Sequence, residues 1–349
     1  MFKSVYSQVL QNCADRLSKA FDNFFRRVKE NENGKRQKPG FPRFKKSIKS
    51  ITNPQYGFKL ETDGRTLYIS KIGNVRIQLH RPIVGQIKTM TVIRRRSGKW
   101  FVLFSCINDN NGWDAQPSRS VSEVGIDVGI RHFVTTSEGG HIDNLVTTDR
   151  ERRKRSRLQR NIDRKPMDSH NREKARIQFA KYIEWGSNRR HDFLHKTSRD
   201  LVNKYDTIAV ESLDIKQMIL VSPCPDEINN LAWSSFIRML EYKAESAGTQ
   251  LLFVDRYDPT SQICSGCQEL GIIGRRETVF NCGKCGLSLD RDINAACSIL
   301  RIAKIRAGHA RSDARGEGAS TSHIMEMRVP SLNQELYAGA WTLAESSTI

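Results

Sequence analysis

The stretch CSGCQELGIIGRRETVFNCGKCGLSLDRDINAACSILR, residues 264–301, sets how the rest of the chain can be interpreted. It contains two CxxC pairs, Cys264/Cys267 and Cys282/Cys285, which fourteen residues separate. One CxxC turn lets two thiolates reach the same ion, and two such pairs at this spacing predict a four-cysteine zinc ribbon. Because sulfur fills all four coordination positions, the zinc has no open position for catalysis, and we expect it to be structural.

An acidic DRD sequence follows the second cysteine pair, and two distant segments contain acids that could act with it. Asp127 interrupts the apolar sequence VGIDVGI, where an unpaired charge is costly, and Glu211 ends the apolar run TIAVE. Asp292 opens a predicted helix behind the cysteines. If these three elements meet at one end of a sheet, their carboxylates would bind Mg²⁺ or Mn²⁺ and support phosphodiester hydrolysis. Most single acids of this kind are caps or surface groups, so the residues alone leave catalysis open.

The composition points to a polyanionic partner. The 349 residues include 57 Lys or Arg and 38 Asp or Glu, for a net charge of +19. Residues 150–200 hold 17 basic and 7 acidic side chains, too few acids for a balanced, salt-bridged surface. Nucleic acid is the partner that such an excess favours. No run of eighteen apolar residues and no secretory leader occurs, which predicts a soluble cytoplasmic protein without a membrane partner.

The N-terminal third of the sequence divides into three parts. Residues 1–50 are predicted to form a helical segment followed by a basic arm, whose Phe41 and Phe44 could stack on bases. A solvated linker is an equally good interpretation of this arm. Residues 51–115 show period-2 alternation and turn signals, which predict a small antiparallel β-barrel. Residues 108–120 have the composition of a linker.

The remainder predicts an α/β domain over residues 120–262. Its expected order is three strands, the basic helices 150–203 divided at Pro166, a strand ending at Glu211, a helix over 231–247 and a strand over 251–254. The zinc ribbon (263–286), a last segment with a helix (287–307) and a disordered tail (308–349) complete the prediction. This order suits an RNase H-like domain with the ribbon inserted in it.

Five segments carry a resemblance to a known family: PGFPRFKKS (39–47), GIDVGIRHFVTTS (125–137), the segment from DFLHKTSRD to LDIKQM (192–218), LAWSSFIRMLEYKAESAG (231–248) and the ribbon with DRDINAA (258–300). Together they resemble the TnpB (OrfB) proteins of insertion sequences, which are relatives of the type V CRISPR nucleases. The resemblance covers residues 34–307, and the ribbon with DRDxNAA is its most specific part.

The resemblance implies a RuvC-type nuclease of RNase H-like fold. Such a protein would use a guide RNA transcribed from the transposon end and cut double-stranded target DNA beside a short motif. By motif, Asp127, Glu211 and Asp292 would be the catalytic, metal-binding acids, with Asp290 as the fallback for Asp292. A monomer is favoured.

One departure from the family pattern motivates an alternative. TnpB proteins usually begin with a further strand and helical segment, so we expect this chain to start inside that region. This puts completion of the β-domain and recognition of the DNA motif in question. An RNA-guided DNA-binding regulator that does not cut, or an accessory transposition protein, is therefore the alternative function. The intact acids argue against it.

Overall fold

The computed structural model describes residues 4–34, 37–43, 47–107, 122–222, 225–271, 274 and 277–313. These residues belong to two compact units, and the boundary between the units along the chain falls between Asn111 and Gly112. The predicted linker over 108–120 lies outside the described residues. None of the described helices is long and apolar enough to cross a membrane.

The first unit begins with helix α1, Ser7–Glu32, as predicted. The helix ends before Gly34, whose φ of 88° is unfavourable for residues with a side chain. Its apolar side is covered in part by Phe41, whose ring lies 5.6 Å from that of Phe21 and 5.3 Å from that of Phe24. Phe41 of the basic arm therefore packs on α1, whereas Phe44 lies outside the described residues.

Six strands follow in this unit: β1 (Ser50–Asn53), β2 (Phe58–Leu60), β3 (Thr66–Ile69), β4 (Gly73–Arg76), β5 (Gln86–Arg94) and β6 (Trp100–Ile107). They form two three-stranded antiparallel sheets, β1-β5-β6 and β2-β3-β4. Leu67 and Ile69 of one sheet share a core with Met90 of the other. The antiparallel strands are as predicted, but among the described residues no sheet closes into a barrel. Alternation of apolar residues predicts the faces of strands and not which of their edges pair.

The second unit contains a five-stranded sheet in the order β11-β10-β7-β8-β9. Its strands are β7 (Glu123–Asp127), β8 (His132–Thr136), β9 (His141–Asp143), β10 (Thr207–Glu211) and β11 (Gln250–Val254). Strand β8 is antiparallel to both β7 and β9, whereas β10 is parallel to both β7 and β11. The predicted mixed α/β fold is confirmed, with each strand at its predicted place.

Six helices belong to the second unit: α2 (Asp149–Asp163), α3 (His170–Lys204), α4 (Ile215–Val221), α5 (Pro225–Leu231), α6 (Trp233–Ala247) and α7 (Arg291–Asp313). Pro166 separates α2 from α3, and the Ser169 hydroxyl caps α3 by accepting a hydrogen bond from the Arg172 N–H. Gly248 ends α6 in the left-handed conformation, with φ of 70°.

Two sequence predictions about helices were wrong. The sequence ILVSPCPDEIN, residues 219–229, predicts a loop, but these residues contain the end of α4 and most of α5. The disordered tail was expected from Gly308, but α7 continues to Asp313. Both segments are too short or too weakly periodic for a helix to be recognised from apolar spacing alone. Residues 314–349 lie outside the described residues.

Helices cover both faces of the sheet. Helices α3 and α6 pack on the face that carries Val124, Ile126 and Ile208. Helix α7 covers the other face through Ile299 and Ala303, which pack against Ala209 and Val254. On this second face β7 has a glycine, Gly125, and a Cβ there would lie 2.0 Å from the Ala296 carbonyl oxygen. The missing side chain therefore lets α7 contact the backbone of β7.

Replacing Gly125 with alanine is expected to destabilise the protein by roughly 1–3 kcal/mol, the usual cost of overpacking a well-packed interior. The neighbour is backbone and cannot rotate away, so the helix must move. The midpoint of urea unfolding measures the effect. Gly186→Ala is a matched control, because a Cβ at this helical glycine would meet no atom within 4 Å. Equal stability of Gly125→Ala and the wild type would contradict the packing of α7 on β7.

Candidate functional site

Asp127 and Glu211 lie side by side at one edge of the sheet. Strands β7 and β10 are parallel, and Val210 is the register partner of Ile126. The next residues in both strands are the two acids, so both carboxylates belong to the carboxyl ends of adjacent strands. Residues 124–126 and 208–210 are buried, which places the two acids where the apolar part of each strand ends.

Asp292 lies in the first turn of α7. The contact between Gly125 and Ala296 places this turn beside the end of β7, because Asp292 precedes Ala296 by one helical turn. Burial, and then the negative charges of Asp292 and Glu211, raise the pKa of Asp127, in keeping with the adjacency that the strand register and the contact of α7 on β7 give. The three acids predicted from the sequence therefore share one site, which we call the acid cluster.

Burial and repulsion make ionisation of two of these acids unfavourable. Burial, followed by the charges of Asp292 and Glu211, raises the pKa of Asp127 to about 7. Burial also raises the pKa of Glu211 to about 7, although the Thr260 hydroxyl donates a hydrogen bond to it at 3.4 Å. Carboxyl groups in such surroundings are stabilised as anions by a nearby cation.

Asp290, the fallback for Asp292, has different contacts. Its Oδ1 accepts a hydrogen bond from the Asp292 N–H at 2.9 Å, and its Oδ2 pairs with Arg131 at 2.6 Å. Partial burial acts to raise the pKa of Asp290, but these hydrogen bonds lower it overall. Asp290 thus caps α7 and holds Arg131, so both of its oxygens are engaged by contacts within the protein.

Arg131 is a contact of the acid cluster that the sequence analysis missed. Its guanidinium pairs with Asp290, and its Nε lies 3.9 Å from Asp292 Oδ2. Arg291 is on the other side, with its Nε 3.5 Å from Asp292 Oδ1. The signal for Arg131 is a basic residue in the turn directly after the strand that ends at Asp127.

The donors of the acid cluster suit a hard cation such as Mg²⁺, which prefers carboxylate oxygens. The three carboxylates are less closely grouped than the cysteines. Among the described residues, only Cys264, Cys267, Cys282 and Cys285 bring three or more possible ligand atoms within 4.8 Å of one another. The convergence of Asp127, Glu211 and Asp292 at one end of the sheet, rather than a preformed cage, is what makes this a candidate cation site.

The four predicted cysteines do converge. Two sulfur–sulfur distances are 3.6 Å (Cys264 to Cys285) and 3.5 Å (Cys267 to Cys282). Tetrahedral zinc with bonds of about 2.3 Å requires sulfurs about 3.8 Å apart, so the cluster is compatible with zinc. Backbone N–H groups of Cys285 and Lys284 lower the pKa of Cys282 and favour the thiolate.

The cysteine cluster and the acid cluster share helix α7. Strands β12 (Val279–Asn281) and β13 (Ser288–Asp290) pair and lead from the second cysteine pair into this helix. The buried Asn294 side chain accepts a hydrogen bond from the Ser265 N–H at 2.9 Å and donates one to the Ile263 carbonyl at 2.8 Å. Asn294 lies two residues after Asp292. Its hydrogen bonds therefore connect the first cysteine knuckle, by which we mean the turn containing Cys264 and Cys267, to the helical turn that contains Asp292.

Asp127→Asn is expected to stabilise the protein in Mg²⁺-free buffer at pH 8, by up to about 4 kcal/mol. The folded-state pKa of Asp127, about 7, lies above its unfolded value of 3.8. The wild type therefore loses stability as pH rises from 3.8 to 7, and asparagine avoids this loss. Urea midpoints at pH 8 and pH 5 measure the difference, which should shrink at pH 5. The buffer contains no chelator, so that the cysteine cluster is undisturbed. An equal difference at both pH values would contradict the assignment.

Fold and site together define a mixed α/β protein with an acid cluster at the strand ends and a four-cysteine ribbon. Two family models match it. One, described as "Probable transposase", matches residues 106–222, and one described as "Cas12f1-like, TNB domain" matches residues 233–299.

Curated relatives extend the match to most of the chain. A "Putative RNA-guided DNA endonuclease" of Streptomyces pristinaespiralis is 34% identical over 85% of this chain and 71% of its own. A "Putative RNA-guided DNA endonuclease InsQ" of Escherichia coli K12 is 29% identical over 87% and 75%. Among solved structures, a Cas12f1–sgRNA–target DNA complex shows 19% identity and a TM-score of 0.37, covering 81% of this chain and 77% of that one. The chain belongs to the TnpB (OrfB) family, as its sequence motifs predicted.

Proposed function

We propose that the protein is an RNA-guided, Mg²⁺-dependent DNA endonuclease with a nuclease domain of the RNase H-like (RuvC) type. The observation that carries the proposal is the acid cluster, in which Asp127, Glu211 and Asp292 interact at the end of the sheet. The sheet order β11-β10-β7-β8-β9, with one parallel and one antiparallel half, supports the RNase H-like assignment. The names of the relatives support the guide RNA and the DNA substrate.

Each acid has a distinct structural role in this proposal. Asp127 and Glu211, on adjacent strands, would bind a cation from one side, and Asp292 would bind from the helix. Held by these acids, divalent ions would supply the activation of a water molecule and the stabilisation of the leaving oxygen in phosphodiester hydrolysis. Arg131 and Arg291 hold the Asp292 side chain in place, and Asp290 fixes the first turn of α7.

Helices α2 and α3 supply the basic surface for the nucleic acids. Residues 150–200, which include most of both helices, carry ten more basic than acidic side chains. Contacts of this kind bind the phosphate backbone without reading its sequence, and base pairing with the guide would provide specificity. We also propose that the ribbon holds zinc in a structural role.

RNA-programmed cleavage is the test of this function. The full chain is purified together with its bound RNA, and that RNA is sequenced. DNA matched to that RNA should be cut when Mg²⁺ is present and left intact when Mg²⁺ is omitted. Scrambling the DNA target is the control for guidance, and cleavage of the scrambled target at the same rate would contradict it.

A non-cleaving, RNA-guided DNA-binding protein is the second candidate. One observation favours it. The oxygens of the three acids, unlike the four cysteine sulfurs, are not grouped within 4.8 Å of one another, so no preformed metal cage is present among the described residues. RNA-dependent retention of matched DNA, with no product in Mg²⁺ or Mn²⁺, would decide for this candidate and against the nuclease.

A further inference from the structure

An aromatic pair, a half-buried tyrosine and an exposed tryptophan, lies on the basic helices, away from the acid cluster in sequence. Tyr182, Trp185, Gly186 and Arg189 of α3, with Lys154 of α2, form what we call the Trp185 patch. Trp185 is 49% exposed. Single exposed apolar side chains are common on protein surfaces, but Trp185 stacks on a second ring and has basic side chains beside it.

The patch is held in place by hydrogen bonds between the two helices. The rings of Tyr182 and Trp185 stack with centroids 5.9 Å apart and planes at 30°. The Tyr182 hydroxyl donates to the Glu151 carbonyl at 2.8 Å, and Arg189 pairs with the Glu151 carboxylate at 2.7 Å. The two side chains are therefore already ordered, and a ligand that packs on their rings would cost little conformational entropy.

Cations lie over both rings. The Arg189 guanidinium is 5.7 Å from the centre of the Trp185 ring, and the Lys154 ammonium is 5.4 Å from that of Tyr182. Aromatic rings beside arginine and lysine are the combination that binds unpaired nucleotides, with the base on the ring and the phosphate on the cation.

Gly186 is a second, independent observation. It lies in the middle of a 35-residue helix, where glycine is unfavourable compared with alanine. A Cβ at this position would meet no atom within 4 Å, so no contact within the described chain requires glycine. Beside Trp185, its missing side chain leaves a shallow surface where a flat group can approach the helix backbone.

We propose that the Trp185 patch binds an unpaired nucleotide of the protein's RNA, with the base packed on Trp185 and Gly186 and the phosphate held by Lys154 and Arg189. The proposal rests on RNA binding as part of the proposed function. RNA is the favoured source because it has unpaired bases before any target is bound, and RNA is recognised mainly through unpaired bases stacked on aromatic side chains. Target DNA has an unpaired strand only after the guide has displaced it, and the single-stranded DNA probe below distinguishes this source.

The test measures binding of three labelled probes to the full chain by fluorescence anisotropy. The probes are a 12-nucleotide single-stranded RNA, the same RNA as a blunt duplex, and the single-stranded DNA of that sequence. Trp185→Ala is expected to weaken single-stranded RNA binding about 5- to 100-fold and to leave duplex binding unchanged. Trp185→Phe, which keeps an aromatic ring, should restore most of the affinity.

Two further variants separate stacking from charge and from folding. Lys181→Ala removes an exposed charge from the same helix and should weaken the single-stranded and duplex probes equally. Gly186→Ala should raise the midpoint of thermal unfolding and yet weaken binding of the single-stranded RNA. A variant that is more stable but binds less well cannot owe its lower affinity to misfolding.

Three results would overturn the proposal: wild-type affinity of Trp185→Ala for single-stranded RNA, equal losses on the single-stranded and duplex probes, or wild-type affinity of Gly186→Ala. Loss of DNA binding alone would overturn the assignment to RNA. The outcomes for this patch and for the nuclease are distinguishable, because the binding assay needs no cleavage. A protein that cuts DNA but binds RNA independently of Trp185 would refute only the patch, and one that binds through Trp185 without cutting would refute only the nuclease.

Discussion

Asp127→Ala is expected to lower the rate of RNA-guided DNA cleavage by about 10³-fold or more. Binding of the ions contributes several kcal/mol to the transition state, and each 1.4 kcal/mol or so is a factor of ten in rate. Glu211→Ala and Asp292→Ala should have similar effects, because the three acids act on the same ions. Combining the substitutions should add little to the single losses, as is usual for residues that act as a unit.

The control for these variants is Asp143→Ala. Asp143 ends β9 in the same sheet, with a side chain that is 87% exposed and pairs with His132 at 2.9 Å. Asp143→Ala removes one negative charge from the sheet, as Asp127→Ala does, but outside the acid cluster. Cleavage by this variant should stay close to the wild-type rate. Retained binding of the guide RNA by Asp127→Ala would show that the variant is folded. Wild-type cleavage rates in all three acid variants would refute the assignment of the active site.

Cys282→Ser is expected to remove the bound zinc and to unfold the ribbon. Small zinc sites draw most of their folding free energy from the metal, so the loss should be several kcal/mol. Zinc per chain is measured by elemental mass spectrometry, and ribbon folding by proteolysis of the native protein. Cys13→Ser, at an exposed cysteine of α1, is the matched control and should keep its zinc. Full zinc content in Cys282→Ser would contradict a four-cysteine site.

If the cysteine cluster holds zinc as proposed, loss of the zinc should also reduce cleavage, although a zinc bound by four cysteines would take no part in the chemistry. Asn294 and Arg301 of α7 bond to the backbone of the first cysteine knuckle, Arg301 reaching the Ser265 carbonyl at 3.1 Å. When the knuckle unfolds, the buried Asn294 loses both of its partners. The turn that carries Asp292 then loses its support, and we expect the cleavage rate to fall together with the zinc content.

The sequence was most informative where the acids interrupt buried strands. Asp127 and Glu211 stood out because an unpaired acid at the end of an apolar run is costly, and the resemblance to the TnpB family then assigned them to one site. Their adjacency, however, depends on the parallel pairing of β7 with β10, which local sequence does not specify. Arg131 was missed for the same reason, since its partner Asp290 is 159 residues away.

The incorrect predictions also have physical causes. The β-barrel was inferred from strands alone, and closure depends on edge pairing between strands that are distant in sequence. Helices α4 and α5 have seven residues each, about two turns, which is too short for a clear helical period. Helix α7 runs past Gly308 because a glycine lowers helix propensity without forbidding a helix.

The close packing of α7 on Gly125 has a consequence for synthesis of the protein on the ribosome. Once translation has passed Val254, all five strands of the sheet exist, but the face around Gly125 and Ala209 stays uncovered until α7 emerges. Domains generally fold as units during synthesis, so docking of this helix is a late step. A nascent or prematurely ended chain would have two acids and lack the third. Cutting ability would therefore arise only after nearly all of the nucleic-acid-binding surface has been made.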